Sequence, residues 1–135
     1  MPHLSSIELD KKLSDKLFND LLDILNRSKK VELMTGVINE LLTETEKLML
    51  AKRIAIVLLL NANTPQSSIA DILKVSTSTI AKTSLKMEQG RYHFILNASK
   101  KDKNDFERII YDIMTVGGLM RPKVGRKYWR KYSTE

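Results

Sequence analysis

Residues 64–87, TPQSSIADILKVSTSTIAKTSLKM, constrain this chain more than any other stretch. Two short segments of helical periodicity flank a tight turn, with the spacing of a helix-turn-helix. The second helix of such a unit is sized to enter the DNA major groove. Thr64 is placed to cap the first helix, and Pro65 fits its first turn, where no amide hydrogen bond is needed. Ile69, Ala70, Ile72 and Leu73 give that helix an apolar side, and the small Ala70 lets a second helix cross closely. Lys74 and Val75 make the turn, with Val75 expected beneath it, and Ser76 caps the next helix. Ile80, Thr83 and Met87 follow at helical spacing, which leaves Thr77, Ser78, Ala81, Lys82 and Lys86 facing outward. That outer face is small, polar and basic. The turn position that usually takes glycine holds Lys74, at a cost of about 1 kcal/mol for a left-handed backbone. The same pattern also fits a plain helical hairpin within a bundle.

The length of 135 residues predicts one domain, and a hydrophobic content of 42% is ordinary for a globular core. The expected division is a helical domain over residues 1–118, with the helix-turn-helix at 64–89, and a tail over 119–135. Without cysteine, disulfides and thiolate metal sites are excluded. The first residues, MPHLSSIELDKK, lack the basic and apolar regions of a secretory signal, and Ile54 to Leu60 is too short to span a membrane. Net charge is +7, unevenly placed: residues 1–63 hold nine basic and nine acidic groups, whereas residues 64–135 hold fourteen and seven. The excess therefore starts with the helix-turn-helix, as a polyanion partner would require, although a solubilising surface gives the same sum.

Before the motif, Leu9, Leu13, Leu17, Leu21 and Ile24 predict an amphipathic helix over Ile7 to Asn26, its stripe widened by Phe18, Leu22 and Leu25. That face is broader than a small monomer needs, so a homodimer is expected. The alternative is that it closes the core of one chain. Val31 to Leu42 gives a second helix with an interruption near Gly36. Thr43 followed by Glu46 is a capping box opening a long helix through about Asn61, apolar nearly all round at its end and therefore central. After Gly90, Arg91 to Ala98 stays open between strand and helix, since Tyr92, Phe94 and Leu96 alternate. A basic linker, Ser99 to Lys103, precedes a last helix from about Asn104 to Val116, ended by Gly117 and Gly118.

From about Glu40 to Lys86, the run LLTETEKLMLAKRIAIVLLL, the helix-turn-helix after it and the spacing of Thr43 to Arg53 resemble the Trp repressor family. The resemblance implies an all-α fold, a multi-helix intertwined bundle shared by two chains, with two helix-turn-helix heads. It places Gln66 and Ser67 against the DNA backbone and base edges, and Thr77, Ser78 and Thr79 in the groove beside their cap Ser76. Of the family's tryptophan pocket, Thr43 and Arg53 match. Its second arginine is Lys82 here, the glycine after it is Thr83, its serine is Lys86 and a leucine at its edge is Glu40. Lysine lacks the flat guanidinium that stacks on a ring, so tryptophan is not the expected effector. A small-molecule co-repressor of other chemistry stays open, and no cofactor or metal is expected. Arg53 has a plainer reading, a helix-surface ion pair with Glu46 or Glu44.

The expected function is sequence-specific binding of double-stranded DNA as a homodimeric transcriptional regulator, a repressor, in the cytoplasm with the bacterial nucleoid. Lys82 and Lys86 would neutralise phosphates. In the tail, Arg126, Lys127 and Arg130, among further basic residues, alternate with Tyr128, Trp129 and Tyr132. This segment reads as a DNA arm, an RNA or anionic-membrane contact, or rings packed on the body. Catalysis has no support, because His3 and His93 stand apart from any nucleophile or carboxylate constellation and no phosphate loop occurs. Competing readings are a helical protein-interaction module and a non-specific architectural DNA binder. The DNA-binding parts of replication initiators and of sigma factors use a similar arrangement.

Overall fold

The computed structural model describes residues 8–100 and 103–117, and all regular structure among them is helical. Seven helices follow in order: α1 Lys11–Arg27, α2 Val31–Leu41, α3 Glu44–Asn61, α4 Gln66–Leu73, α5 Thr77–Glu88, α6 His93–Ser99 and α7 Lys103–Val116. No helix among the described residues is long and apolar enough to cross a membrane. The chain divides into two compact units, Met1–Lys47 and Leu48–Glu135. The expected tail, with Arg126, Lys127 and Arg130, lies outside the described residues, as does the start of the first predicted helix.

In the first unit, α1 begins at Lys11 rather than Ile7, because Asp10 keeps an extended backbone and takes the N-cap position. Its broad apolar stripe is exposed: Leu13, Leu17, Phe18, Leu22 and Ile24 each retain about half of their surface. Ser28 ends the helix, buried, with its hydroxyl donating to the Ile24 carbonyl at 2.8 Å. The interruption expected at Gly36 is absent, and α2 runs unbroken through it. A lone glycine weakens a helix by about 1 kcal/mol without breaking it when its neighbours keep helical spacing. The capping box forms as read: the Thr43 amide donates to Glu46 Oε1 at 2.9 Å, and the Glu46 amide donates to Thr43 Oγ1 at 3.1 Å.

The second unit is built on the apolar end of α3. Ile56, Leu58 and Leu59 join Ile69 of α4, Ile80 of α5 and Ile110 of α7 in one buried cluster. The chain leaves α3 through Asn63, held left-handed at φ 60°, and the Thr64 amide donates back to the Leu59 carbonyl at 3.1 Å. Thr64 does not cap α4, because that helix starts one residue later, with Pro65 at the N-cap position. Pro65 holds the N-cap position without a side-chain bond, and the buried Thr64 hydroxyl has no partner. Arg91 and Tyr92 form a turn, and His93–Ser99 is helix α6. Strand alternation would put Tyr92, Phe94 and Leu96 on one face. Instead Tyr92 and Leu96, four apart, are half-buried, while Phe94 is 79% exposed. At the far end, Gly117 closes α7 directly against Ile72 of α4.

The two glycines predict opposite outcomes for alanine. At Gly36 an added methyl group meets nothing within 4 Å, so Gly36→Ala should stabilise by about 0.5–1 kcal/mol. At Gly117 it would collide with the Ile72 side chain and lie 2.9 Å from the Ile113 carbonyl oxygen, so Gly117→Ala should cost about 1–3 kcal/mol. Urea unfolding of both variants would check the contrast.

Candidate nucleic-acid interface

Packing within the helix-turn-helix decides which of its side chains are left for a partner. Ile69 and Ile80 are wholly buried, and they pin α4 and α5 to the core. Between them the turn is tight: Lys74 is left-handed at φ 55°, ψ 50°, and the Val75 amide donates to the Ala70 carbonyl at 3.3 Å. Val75, expected beneath the turn, is half-buried against the cluster. Ser76 caps α5 as read, its hydroxyl accepting the Thr79 amide at 3.2 Å.

Gln66 and Ser67 are exposed on the first turn of α4, and Thr77, Ser78, Lys82 and Lys86 are exposed on α5. Thr79 is exposed too, but its hydroxyl shares a 2.8 Å hydrogen bond with Ser76 Oγ, and its carbonyl accepts the Thr83 hydroxyl at 3.1 Å. Ser76 and Thr79 therefore hold the start of α5 in shape, while Thr77 and Ser78 remain the free hydroxyls beside them. The Pro65 cap adds a feature that sequence reading missed. With no side chain to satisfy them, the first-turn amides of α4 are available to an external acceptor.

Behind α5 lies an open cavity of about 580 Å3 within the second unit. Arg53 and Lys52 line it from α3, and Lys82 and Lys86 from α5. Lys52 and Tyr92 were not singled out from sequence, because only the packing of α3 beside α5 and the turn at Gly90 brings them there. Tyr92 carries a left-handed backbone at φ 70°, unusual for a bulky residue. Of the two residues matched to an effector pocket, only Arg53 lines this cavity. Thr43 belongs to the first unit and is occupied by its capping box. The carboxylates proposed as partners of Arg53 are engaged elsewhere, Glu44 with Lys47 and Glu46 with Thr43. His93 is exposed, with Nδ1 3.2 Å from the Gly90 carbonyl and its ring against Phe94. Among the described residues no group of His, Cys, Asp or Glu could hold a metal ion.

The hydrogen bonds from Thr43 hold the Glu46 carboxyl below its ordinary range. Such a depressed carboxyl stabilises the folded state above its unfolded pKa, and the contribution fades as pH falls through the folded value.

A family model described as Trp repressor protein matches residues 16–100, which runs from within α1 to the end of α6. No curated protein and no solved structure matches the chain.

Two substitutions test this local architecture. Thr43→Ala should destabilise the chain by about 1 kcal/mol at neutral pH. Part of that loss should vanish in acid, where a protonated Glu46 no longer accepts as a carboxylate; thermal melts at pH 7 and pH 3 would show it. Lys74→Gly should stabilise by up to about 1 kcal/mol by relieving the left-handed backbone, read from chemical denaturation.

Proposed function

Because the chain belongs to the Trp repressor family, a family of helix-turn-helix DNA-binding regulators, we propose that it represses transcription as a homodimer bound to a specific duplex sequence. The observation that carries this reading is the outer face of α5. Small hydroxyls and lysines stand exposed on a helix whose opposite side is fixed by Ile80 and whose start is fixed by Ser76. Thr77 and Ser78 make short hydrogen bonds and methyl contacts to base edges, which discriminate less than a bidentate contact does. Gln66 is the residue able to bond adenine bidentately, and Ser67 with the free amides of α4 takes a phosphate. Lys82 and Lys86 neutralise phosphates and release counterions. Arg126, Lys127 and Arg130 of the tail add affinity along the backbone. Specificity beyond these contacts comes from DNA shape and bridging water.

The exposed apolar stripes of α1 and α2 support the dimer, since Phe18, Val31 and Leu33 gain by burial against a second copy. A twofold dimer reads half-sites about 34 Å apart, one duplex turn, and blocks promoter access. Such a protein works in the bacterial cytoplasm, at the nucleoid.

Selection of bound duplexes from a random pool at near-physiological salt tests this. The expected result is an enriched palindrome with one-turn spacing, with a dimer in sedimentation equilibrium. Joint replacement of Thr77 and Ser78 by alanine should erase preference at the central bases, by about 1 kcal/mol or more. Lys82→Gln should instead weaken all duplexes alike and lower the salt slope by about 1. Removal of residues 121–135 should cost general affinity. Binding without enrichment would mark an architectural protein, and no duplex binding would mark a protein-interaction module.

A further inference from the structure

The outer face of α5 holds one large side chain that the contacts above leave unused. Leu85 keeps 56% of its surface and is the one exposed large apolar residue of that helix. Ile80 and Thr83 are buried on the inner side, with Met87 half-buried. Ser78, Lys82 and Leu85 follow at intervals of four and three, so they share the side opposite Ile80. Ala81 is exposed one turn before Leu85 and adds a methyl group beside it. The apolar spot is thus continuous with the face already assigned to DNA. Lys82 and Lys86 flank it, both exposed, and neither is ion-paired among the described residues. An apolar protein surface laid over Leu85 would strip water from both cations without neutralising them. A duplex neutralises them at its phosphates while Leu85 faces the groove.

The floor of the major groove offers one kind of apolar group, the C5 methyl of thymine. Hydroxyls such as those of Thr77 and Ser78 bond to several bases and separate thymine poorly from cytosine. We propose that Leu85 packs on a thymine methyl and is the residue that selects a T·A pair at that position. This rests on the DNA-binding reading above and adds a base pair to it. Leu85 lies seven residues beyond Ser78, about 10 Å further along the helix axis, so the two side chains read different pairs. Cytosine lacks the methyl group, and adenine or guanine sets a hydrogen-bonding edge against the leucine. Burial of one methyl group changes affinity about fourfold.

The test uses the full chain and a duplex enriched from the random pool, with each thymine replaced in turn by deoxyuridine. Uracil pairs with adenine as thymine does and lacks only the methyl group. At one thymine of a half-site the replacement should raise the apparent Kd about fourfold. L85A should lose a similar factor on the thymine duplex and should bind the thymine and uracil duplexes equally at that position. L85M, apolar and of similar volume, should keep the discrimination. Because Leu85 is exposed, L85A should melt as the unaltered chain does, which separates a lost contact from a lost fold. S78A should leave the thymine–uracil difference intact. An enriched site in which no uracil replacement matters, or an L85A chain that still separates thymine from uracil, would overturn the proposal. Equal weakening of all duplexes by L85A with the discrimination kept would also overturn it. In each of these results duplex binding stands and only the role of Leu85 falls. A chain that binds no duplex at all instead overturns the DNA-binding reading, and the methyl contact with it.

Discussion

Burial of Ile69 and Ile80 against the apolar end of α3 is the contact on which the candidate interface depends. Both side chains are completely excluded from water, alongside Leu59. Each such burial is worth about 1.5–3 kcal/mol, more than the roughly 1 kcal/mol set against it by a left-handed Lys74. The turn therefore tolerates a lysine where glycine would be easier. With the inner sides of α4 and α5 fixed in this way, the orientation of every outward side chain follows. Thr77 and Ser78 are presented by default, because the helix cannot turn them inward without exposing Ile80.

The same packing gives α5 two kinds of exposed side chain. Its free hydroxyls occupy the first turn, where Ser76 and Thr79 bond to each other and keep the helix start rigid. One and two turns further on, Lys82 and Lys86 stand close to Arg53 and Lys52 of α3 across an open cavity. The difference from a pocket that clamps a ring between two arginines is one of charge geometry: lysine offers a point charge and no stacking plane.

The first unit presents a different physical problem. Helices α1 and α2 have no fully buried side chain, and their large apolar residues remain open to solvent. Such helices bury little apolar surface within their own chain. The capping box at the start of α3 is the best-defined local structure there, with two reciprocal hydrogen bonds between Thr43 and Glu46.

How much of this was legible in the sequence follows from the range of each interaction. Caps, turns and helical periodicity act over three or four residues, so the Thr43–Glu46 box, the Ser76 cap, the turn at Lys74 and the outward set Thr77, Ser78, Lys82 and Lys86 could be read directly. The all-helical fold class follows from the same signals. Local readings failed where two elements compete for one residue. Thr64 looks like a cap for α4, but Pro65 holds the N-cap position, and Thr64 is buried with its amide bonded back to the end of α3. Residues 91–98 left strand and helix open, and the structure gives a turn at Arg91 and Tyr92 followed by the helix His93–Ser99. The cavity was legible only in part: the family resemblance grouped Arg53 with Lys82, Thr83 and Lys86, whereas Lys52 and Tyr92 join them only through packing, and Thr43 does not line it. Sequence determined the helices and the face of α5 because those depend on neighbours along the chain. Tertiary structure alone decided that Lys52 and Tyr92 share one space with Arg53, Lys82 and Lys86, because apolar burial acts between segments that only folding brings together.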